Sequence, residues 1–286
     1  MSKRPYAEVI GDPIAQSKSP AIHGHWLRES GIEGDYRAQH VTAEGLADYL
    51  GERRSDPDWR GCNVTMPHKQ AIIPLLDRLD PLARKIGAVN TVVRGADGTL
   101  TGYNTDAAGF LEPLGEELGK PHLFRMARIL GTGGAARAIV AALSEAGFTL
   151  VLAGRNPDKA RAMLDELAPG GEHHAIALDH FGAATDFVFD DREGIFDLVV
   201  NASPLGMTGQ PALAFDLSHA PPGSLVYDIV TAPRRTPLLD AASKQGFATI
   251  EGLAMLIGQA RAAFRLFFGE TPPREGDAAL MEELSR

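Results

Sequence analysis

The run Gly61-Cys62-Asn63-Val64-Thr65-Met66-Pro67-His68-Lys69 brings an amide, a hydroxyl, an imidazole and an ammonium group together. Read as a short strand, it puts Asn63 and Thr65 on one face, because side chains alternate along an extended chain. Pro67 has a fixed φ and no N–H, which suits the first turn of a following helix. Lys69 then falls in that turn, where the positive end of the helix dipole disfavours a cation. A lysine in that setting suits chemistry: it can polarise a carbonyl oxygen and deliver a proton to it. His68 is the rival acid–base residue by chemistry alone. Asn63 is expected to hold the turn in shape rather than to act.

A second constellation is Gly131-Thr132-Gly133-Gly134-Ala135-Ala136, between the apolar run from Ala127 to Leu130 and a helical run through Ile139 and Leu143. This is the strand–turn–helix setting that a dinucleotide fingerprint requires. Gly131 permits the tight turn, Gly133 lets a pyrophosphate approach the backbone, and Ala136 replaces the third glycine. The helix N-terminus would add N–H donors and positive potential. Arg155 directly follows the next strand, Leu150 to Ala153, and no acid lies between Leu150 and Pro157. It stands roughly two dozen residues past Gly131, where an NAD-binding fold carries an acid and an NADP-binding fold an arginine. A guanidinium fork suits a 2′-phosphate, so NADP is the expected cofactor.

The elements that position these residues alternate between strand-like and helix-like, which predicts an α/β protein with largely parallel sheets. A strand from Tyr6 to Ile10 precedes a helix with Ser19 as N-cap, Pro20 at N1 and Gly31 as its stop. Ile22 and Trp26 share the buried face of that helix, and His23 and His25 read as a partly exposed face. Asp80-Pro81 opens a short helix that Gly87 ends. Val89 to Val93 and Thr99 to Gly102 form a hairpin around Gly95-Ala96-Asp97-Gly98. A helix runs from Asn104-Thr105-Asp106 toward Leu118. Further strands are Leu198 to Val200 and Leu225 to Ile229. Thr236-Pro237 opens a helix closed by Gly246, and a long helix spans Gly252 to Phe268.

The 286 residues suffice for roughly two domains. A net charge of −9 argues against nucleic acid or an anionic membrane as partner. The single cysteine, Cys62, excludes an intrachain disulfide and fits a reducing compartment. Neither a secretory leader nor an apolar run of about 20 residues is seen, so a cytoplasmic protein is expected. His173-His174 has no second ligand cluster, and no metal site is expected.

The order and content of several motifs closely resemble shikimate dehydrogenases, from Tyr6 to about Gly269. They are Ser17-Lys18-Ser19-Pro20, Asn63 to Lys69, Gly87 to Thr91, Asn104 to Gly109, Gly131 to Ala135, Asn201 to Met207 and Gly252 through Gln259. The resemblance implies NADP-linked, reversible reduction of 3-dehydroshikimate to shikimate. It implies that Ser17 and Ser19 hold the substrate carboxylate, with Tyr227 also reaching it. Thr65, Lys69, Asn90, Asp106 and Gln259 would bind the ring hydroxyls and the reacting carbonyl, with Asp106 orienting Lys69 and assisting its proton transfer. Gly131, Thr132, Gly133, Gly134, Ala135, Arg155, Leu225 and Gly252 would bind the cofactor, with backbone near Tyr227 and Gly252 approaching the nicotinamide and Asn201 to Met207 lining its crevice. Two departures stand out: Thr132 replaces a common alanine, and Gly154-Arg155-Asn156 stands where Asn-Arg-Thr is frequent.

The expected architecture is a Rossmann-type NADP domain over 106–251 and a second α/β domain, mostly parallel, over 1–105 and 252–286, with a cleft between them. The expected partner is a small-molecule substrate, and the expected assembly a monomer or homodimer. A quinate/shikimate dehydrogenase using NAD(P) is the nearest alternative. A methylenetetrahydrofolate dehydrogenase has a similar two-domain plan with a lysine in its site, but the paired serines and the Asn-Thr-Asp motif argue against it. A non-enzymatic NADP-binding sensor would not need both Lys69 and Asp106. Replacing Arg155 with Ala should raise KM for NADPH and spare kcat, and an unchanged NADPH/NADH preference in that variant would reject the cofactor assignment.

Overall fold

The computed structural model describes residues 4–284. They form two compact units: residues up to Gly109 with those from Ile257 onward, and Phe110–Leu256. The chain therefore passes from one unit to the other twice.

The first unit begins with strand β1 (Tyr6–Gly11), helix α1 (Ser19–Glu29), strand β2 (Asp35–His40), helix α2 (Leu46–Arg54) and strand β3 (Trp59–Val64). Short helix α3 (His68–Ala71), strand β4 (Arg78–Leu79), helix α4 (Pro81–Ile86) and strands β5 (Thr91–Arg94) and β6 (Leu100–Tyr103) follow. The sheet order is β2-β1-β3-β5-β6-β4. The helical crossovers make β2, β1 and β3 parallel, whereas the tight turn ending at Gly98 (φ 83°) forces β5 and β6 antiparallel. Helix α4 follows its local signals: Asp80 accepts the Leu82 N–H, Pro81 is the first helical residue, and Gly87 closes it in the left-handed region.

Helix α1 departs from expectation at both its cap and its buried face. Ser19 is its first residue rather than its N-cap, Lys18 stands at the cap position without a side-chain capping bond, and Ser17 Oγ accepts the Ser19 N–H at 3.3 Å. His23, expected on a partly exposed face, is fully buried, because its neighbours Ile22, Trp26 and Leu27 carry the stripe that packs inward. Its ring stacks on Tyr36 at 3.9 Å.

Helix α5 (Asp106–Leu111) leads into the second unit. The helix expected to run on to Leu118 is broken by Pro113: a 3-10 turn over Glu112–Leu114 separates α5 from α6 (Gly115–Leu118). Strand β7 (Phe124–Leu130), helix α7 (Gly134–Glu145), strand β8 (Thr149–Gly154), helix α8 (Pro157–Leu167), strand β9 (His174–Ala177), strand β10 (Ile195–Asn201), strand β11 (Leu225–Asp228), helix α9 (Pro237–Lys244) and strand β12 (Ala248–Glu251) follow. The chain then enters α10 (Gly252–Phe268) and, after it, α11 (Asp277–Glu283).

The second sheet is parallel throughout, in the order β12-β11-β10-β7-β8-β9. Counted along the chain this is the doubly wound 3-2-1-4-5-6 arrangement, with its switch point between β7 and β10. Both faces are covered, and period-two alternation divides the strands between two cores. Ile129, Leu198 and Val200 join Ile139, Leu143 and Leu164 on one side, while Leu130, Val199 and Val226 join Leu239 on the other. Each such fully buried aliphatic side chain contributes about 1.5–3 kcal/mol relative to exposure. No helix among the described residues is long and apolar enough to cross a membrane.

Burial without a hydrogen-bond partner on either ring nitrogen pushes the His23 pKa down to about 3. The unfolded chain takes up a proton near pH 6.5 that the native ring refuses until about pH 3. Native stability therefore falls as pH drops through that window. His23→Phe, which keeps an aromatic ring against Tyr36, should remove about 2 kcal/mol of the stability lost between about pH 7 and pH 5. Urea unfolding at the two pH values measures the difference.

Candidate active site

Lys69 lies on the four-residue helix α3. Its backbone carbonyl accepts the Val89 N–H at 2.7 Å, which fixes α3 beside the segment leading to Asn90. Its Nζ donates to Asp106 Oδ2 at 2.5 Å, with side-chain exposures of 15% and 6%. Asp106 opens α5, but Asn104 does the capping: its Oδ1 accepts the N–H groups of Asp106 and Ala107. The Asp106 carboxylate is thus left for Lys69 and for Asn90, whose Nδ2 reaches Oδ1 at 2.9 Å.

The same Asn90 amide donates to Thr105 Oγ1 at 2.8 Å and to Gln259 Oε1 at 3.4 Å. Gln259 arrives on α10, and Gly109 is what lets it come so close. A Cβ at Gly109 would lie 2.4 Å from the Gln259 backbone nitrogen. Lys69, Asn90, Asp106 and Gln259 are thus joined by direct hydrogen bonds. Thr65 follows β3 on the chain into α3, and its hydroxyl makes no hydrogen bond to any described residue, so it is available to a ligand. Ser17 is partly buried and Ser19 buried, with Ser19 beside the phenol of Tyr36.

His68 does not share this cluster. It is fully buried and its Nε2 contacts the Val41 carbonyl oxygen at 2.7 Å. Asn63 is buried and bonded to Tyr36, Thr91 and the Asn90 carbonyl. Burial pushes the Cys62 thiol well up, so it is no thiolate nucleophile. Tyr36, Thr91 and Thr105 were given no role from the sequence. The one signal at Tyr36 is a single large ring in an otherwise polar strand.

In the second unit the glycine loop lies at the carboxyl end of β7, at the switch point. Gly131 has φ 122°, and a Cβ there would stand 2.9 Å from the backbone of Ala202 and Ser203 after β10. Gly133 is exposed, and a Cβ there would meet nothing within 4 Å. Gly134 and Ala135 begin α7, whose first N–H groups point out of the helix end. Arg155 directly follows β8, is exposed, and makes no hydrogen bond or ion pair with any described residue. Asn156 is already engaged, capping α8 through the N–H groups of Asp158 and Lys159. The residues present therefore fit a dinucleotide phosphate cradle with a free guanidinium.

The two sequence departures are physically coupled. The Thr132 methyl group would lie 2.7 Å from a Cβ at Gly154, so a threonine in the loop and a glycine before Arg155 accommodate each other. Asn201 braces the neighbouring loop, donating to the Leu205 carbonyl and Asp228 and accepting from Ser203. Gly252 follows β12, and a Cβ there would stand 2.3 Å from the Val230 carbonyl oxygen.

Two expected site residues stand apart from these groups in the structure. Tyr227 is fully buried in the core of the second unit, stacked on Phe110 at 4.9 Å, with a hydroxyl that has no partner. Leu225 starts β11 and pairs with Leu198. It therefore sits at the amino end of the sheet, about 10 Å from the carboxyl end where Asp228 aligns with Asn201 and Leu130. Among the described residues no cluster of His, Cys, Asp and Glu could hold a metal.

A doubly wound sheet with a glycine loop at its switch point, together with a unit that buries a lysine–carboxylate pair among amides, defines a two-unit α/β dinucleotide oxidoreductase. Residues 9–92 match the shikimate dehydrogenase substrate binding domain and residues 252–282 the shikimate 5'-dehydrogenase C-terminal domain. The shikimate dehydrogenase (NADP(+)) of Sphingopyxis alaskensis is 52% identical over 279 residues, covering 96% of this chain and 95% of that protein. A shikimate 5-dehydrogenase from Thermus thermophilus, solved with NADP(H) and shikimate, has a TM-score of 0.79 at 35% identity, covering 98% of this chain and 99% of that one. A quinate dehydrogenase from Corynebacterium glutamicum, solved with NAD, has a TM-score of 0.81 at 34% identity over 98% of each chain. The chain belongs to the shikimate/quinate dehydrogenase family and is an oxidoreductase of that family.

Gly109→Ala should force α5 and α10 apart at Gln259. An overpacked contact of this kind costs about 1–3 kcal/mol. The expected result is a lower thermal midpoint together with a raised KM for the substrate, read by calorimetry and steady-state kinetics.

Proposed function

We propose that this protein catalyses the reversible NADP-linked reduction of 3-dehydroshikimate to shikimate, on the route to chorismate and the aromatic amino acids. The first unit serves as the substrate domain and the second as the NADP domain. The observation that carries the mechanism is the Lys69–Asp106 pair at 2.5 Å, set among Asn90, Thr105 and Gln259. A ring carrying hydroxyls and a carboxylate needs many oriented hydrogen bonds and little apolar surface, and this cluster supplies them.

Gly131 to Ala135 and Arg155 would hold NADPH, which when bound would supply the hydride for the carbonyl carbon. The remaining work falls to the side chains of the chain itself. As the C=O bond becomes C–O, the Lys69 ammonium gives its proton to the developing alkoxide. In the oxidation direction neutral Lys69 takes that proton back from the hydroxyl. Asp106 orients Lys69 and assists the transfer, and with Thr65, Asn90 and Gln259 it holds the ring hydroxyls. Ser17 and Ser19 receive the carboxylate. Quinate oxidation with NAD is the second reading, supported by the likeness to the Corynebacterium enzyme, and the free Arg155 favours NADP over it.

NADP⁺ and NAD⁺ reduction followed with shikimate, with quinate and without substrate separates the readings. Turnover with shikimate and NADP⁺ is expected, and none would reject the proposal. Lys69→Ala should lower kcat by about 10²–10⁴, the range for a lost general acid–base group, with an unchanged circular dichroism spectrum. A loss of tenfold or less would reduce Lys69 to a binding role.

A further inference from the structure

The buried groups behind Asn90 form a chain whose hydrogen-bond polarity is set at both ends by the backbone. Tyr36 on β2 donates its phenolic proton to Asn63 Oδ1 at 2.6 Å. Asn63 Nδ2 donates to the Asn90 backbone carbonyl at 3.3 Å and to Thr91 Oγ1 at 3.0 Å. A carbonyl can only accept, so it dictates which end of the Asn63 amide carries the hydrogens. Thr91, accepting from Asn63, has its one proton for Asn90 Oδ1 at 3.0 Å. The Thr105 N–H, which can only donate, points at the same oxygen at 2.7 Å. The NH₂ end of Asn90 is thereby turned to Asp106 Oδ1 at 2.9 Å, while Asp106 Oδ2 faces Lys69.

We infer that Tyr36, Asn63 and Thr91 are positioning residues: a one-way series of donors that holds the Asn90 amide with its NH₂ against Asp106 and so sets the carboxylate against Lys69. The inference rests on the proposed roles of Lys69 and Asp106. The reverse orientation of Asn90 would put two acceptor oxygens face to face at a site where Asn90 is 2% and Asp106 4% exposed. An unmet acceptor there has no water to turn to. The chain also links two parts of the site, since Ser19 lies beside the same Tyr36 phenol from which it starts. Lys69 is the charged group bonded to Asp106. His68, on the same helix, is turned to Val41, and at the far end of the chain His23 stacks on Tyr36, with Cys62 and Glu8 nearby.

Thr91→Val preserves shape and deletes the hydroxyl, whereas Thr91→Ser preserves the hydroxyl. Both are compared with the unaltered full chain by NADP⁺-dependent shikimate oxidation and by hydrogen exchange of the Asn90 side-chain amide, read by NMR. Thr91→Val is expected to lose about tenfold in kcat with KM for shikimate within about threefold. Its Asn90 amide is expected to exchange about tenfold faster. Thr91→Ser should stay within about twofold of the unaltered protein in both readouts. A Thr91→Val protein with unaltered kcat and exchange overturns the inference, as does a Thr91→Ser protein equally impaired. An unaltered protein that fails to oxidise shikimate would reject the proposed reaction, while the Asn90 exchange still decides the inference. Where Thr91→Val does not fold, Tyr36→Phe carries the same two readouts with the same expected changes, and unaltered values in it would equally overturn the inference.

Discussion

An ammonium and a carboxylate held in contact and largely out of water are the constraint around which the first unit is arranged. Desolvating both ions costs several kcal/mol each, and their attraction repays it only when the remaining protons and lone pairs are also met. That requirement accounts for the density of amides and hydroxyls at Lys69 and Asp106. Asn90 meets one carboxylate oxygen while Lys69 meets the other. Asn104 relieves Asp106 of the capping duty that its place at a helix start would otherwise impose. The bond from the Val89 N–H to the Lys69 carbonyl and the close passage of α10 over Gly109 then bring the pieces into register.

The second unit solves a different problem, which is to leave groups unsatisfied until a ligand arrives. Its open sheet reverses strand order between β7 and β10, so the loops after those strands diverge at the carboxyl edge. Gly131 packs directly on the backbone after β10, which leaves Gly133 and the start of α7 facing outward. Arg155 is unengaged, and Asn156 beside it is committed to its helix. The mutual fit of Thr132 and Gly154 shows that a change in the glycine loop and a change before the arginine can be a single steric event.

Elements whose signals are local were legible in the sequence. Helix α4 runs from the Asp80 cap to left-handed Gly87, helix α9 starts at the Thr236 cap, and the hairpin turns at Gly95 to Gly98. Strands β2, β9 and β12 left no such trace. Each lies at a sheet edge, where one side is unpaired and few side chains need to be apolar. The surroundings of Tyr227 and Leu225 were not legible for a related reason. Sequence position near a functional strand carries no information on which face or which end a side chain occupies. Pairing register and alternation decide that, and they turned Tyr227 into the core and Leu225 to the amino edge.

By itself the sequence determined the chemical inventory: the lysine, the acid, the amides and serines, the glycine loop and the arginine after the second strand. It also determined the alternation of strand and helix that makes an α/β protein, because those are properties of residue type and short-range spacing. Only the tertiary structure decided which members of the inventory touch. It brought Lys69 to Asp106, Gln259 to Asn90, and Tyr36 through Asn63 and Thr91 to the same amide. It also withdrew His68 by fastening it to Val41. These contacts join positions far apart along the chain. They depend on the direction of each hydrogen bond and on single close approaches such as that at Gly109, which are set when elements pack and not by the residues alone.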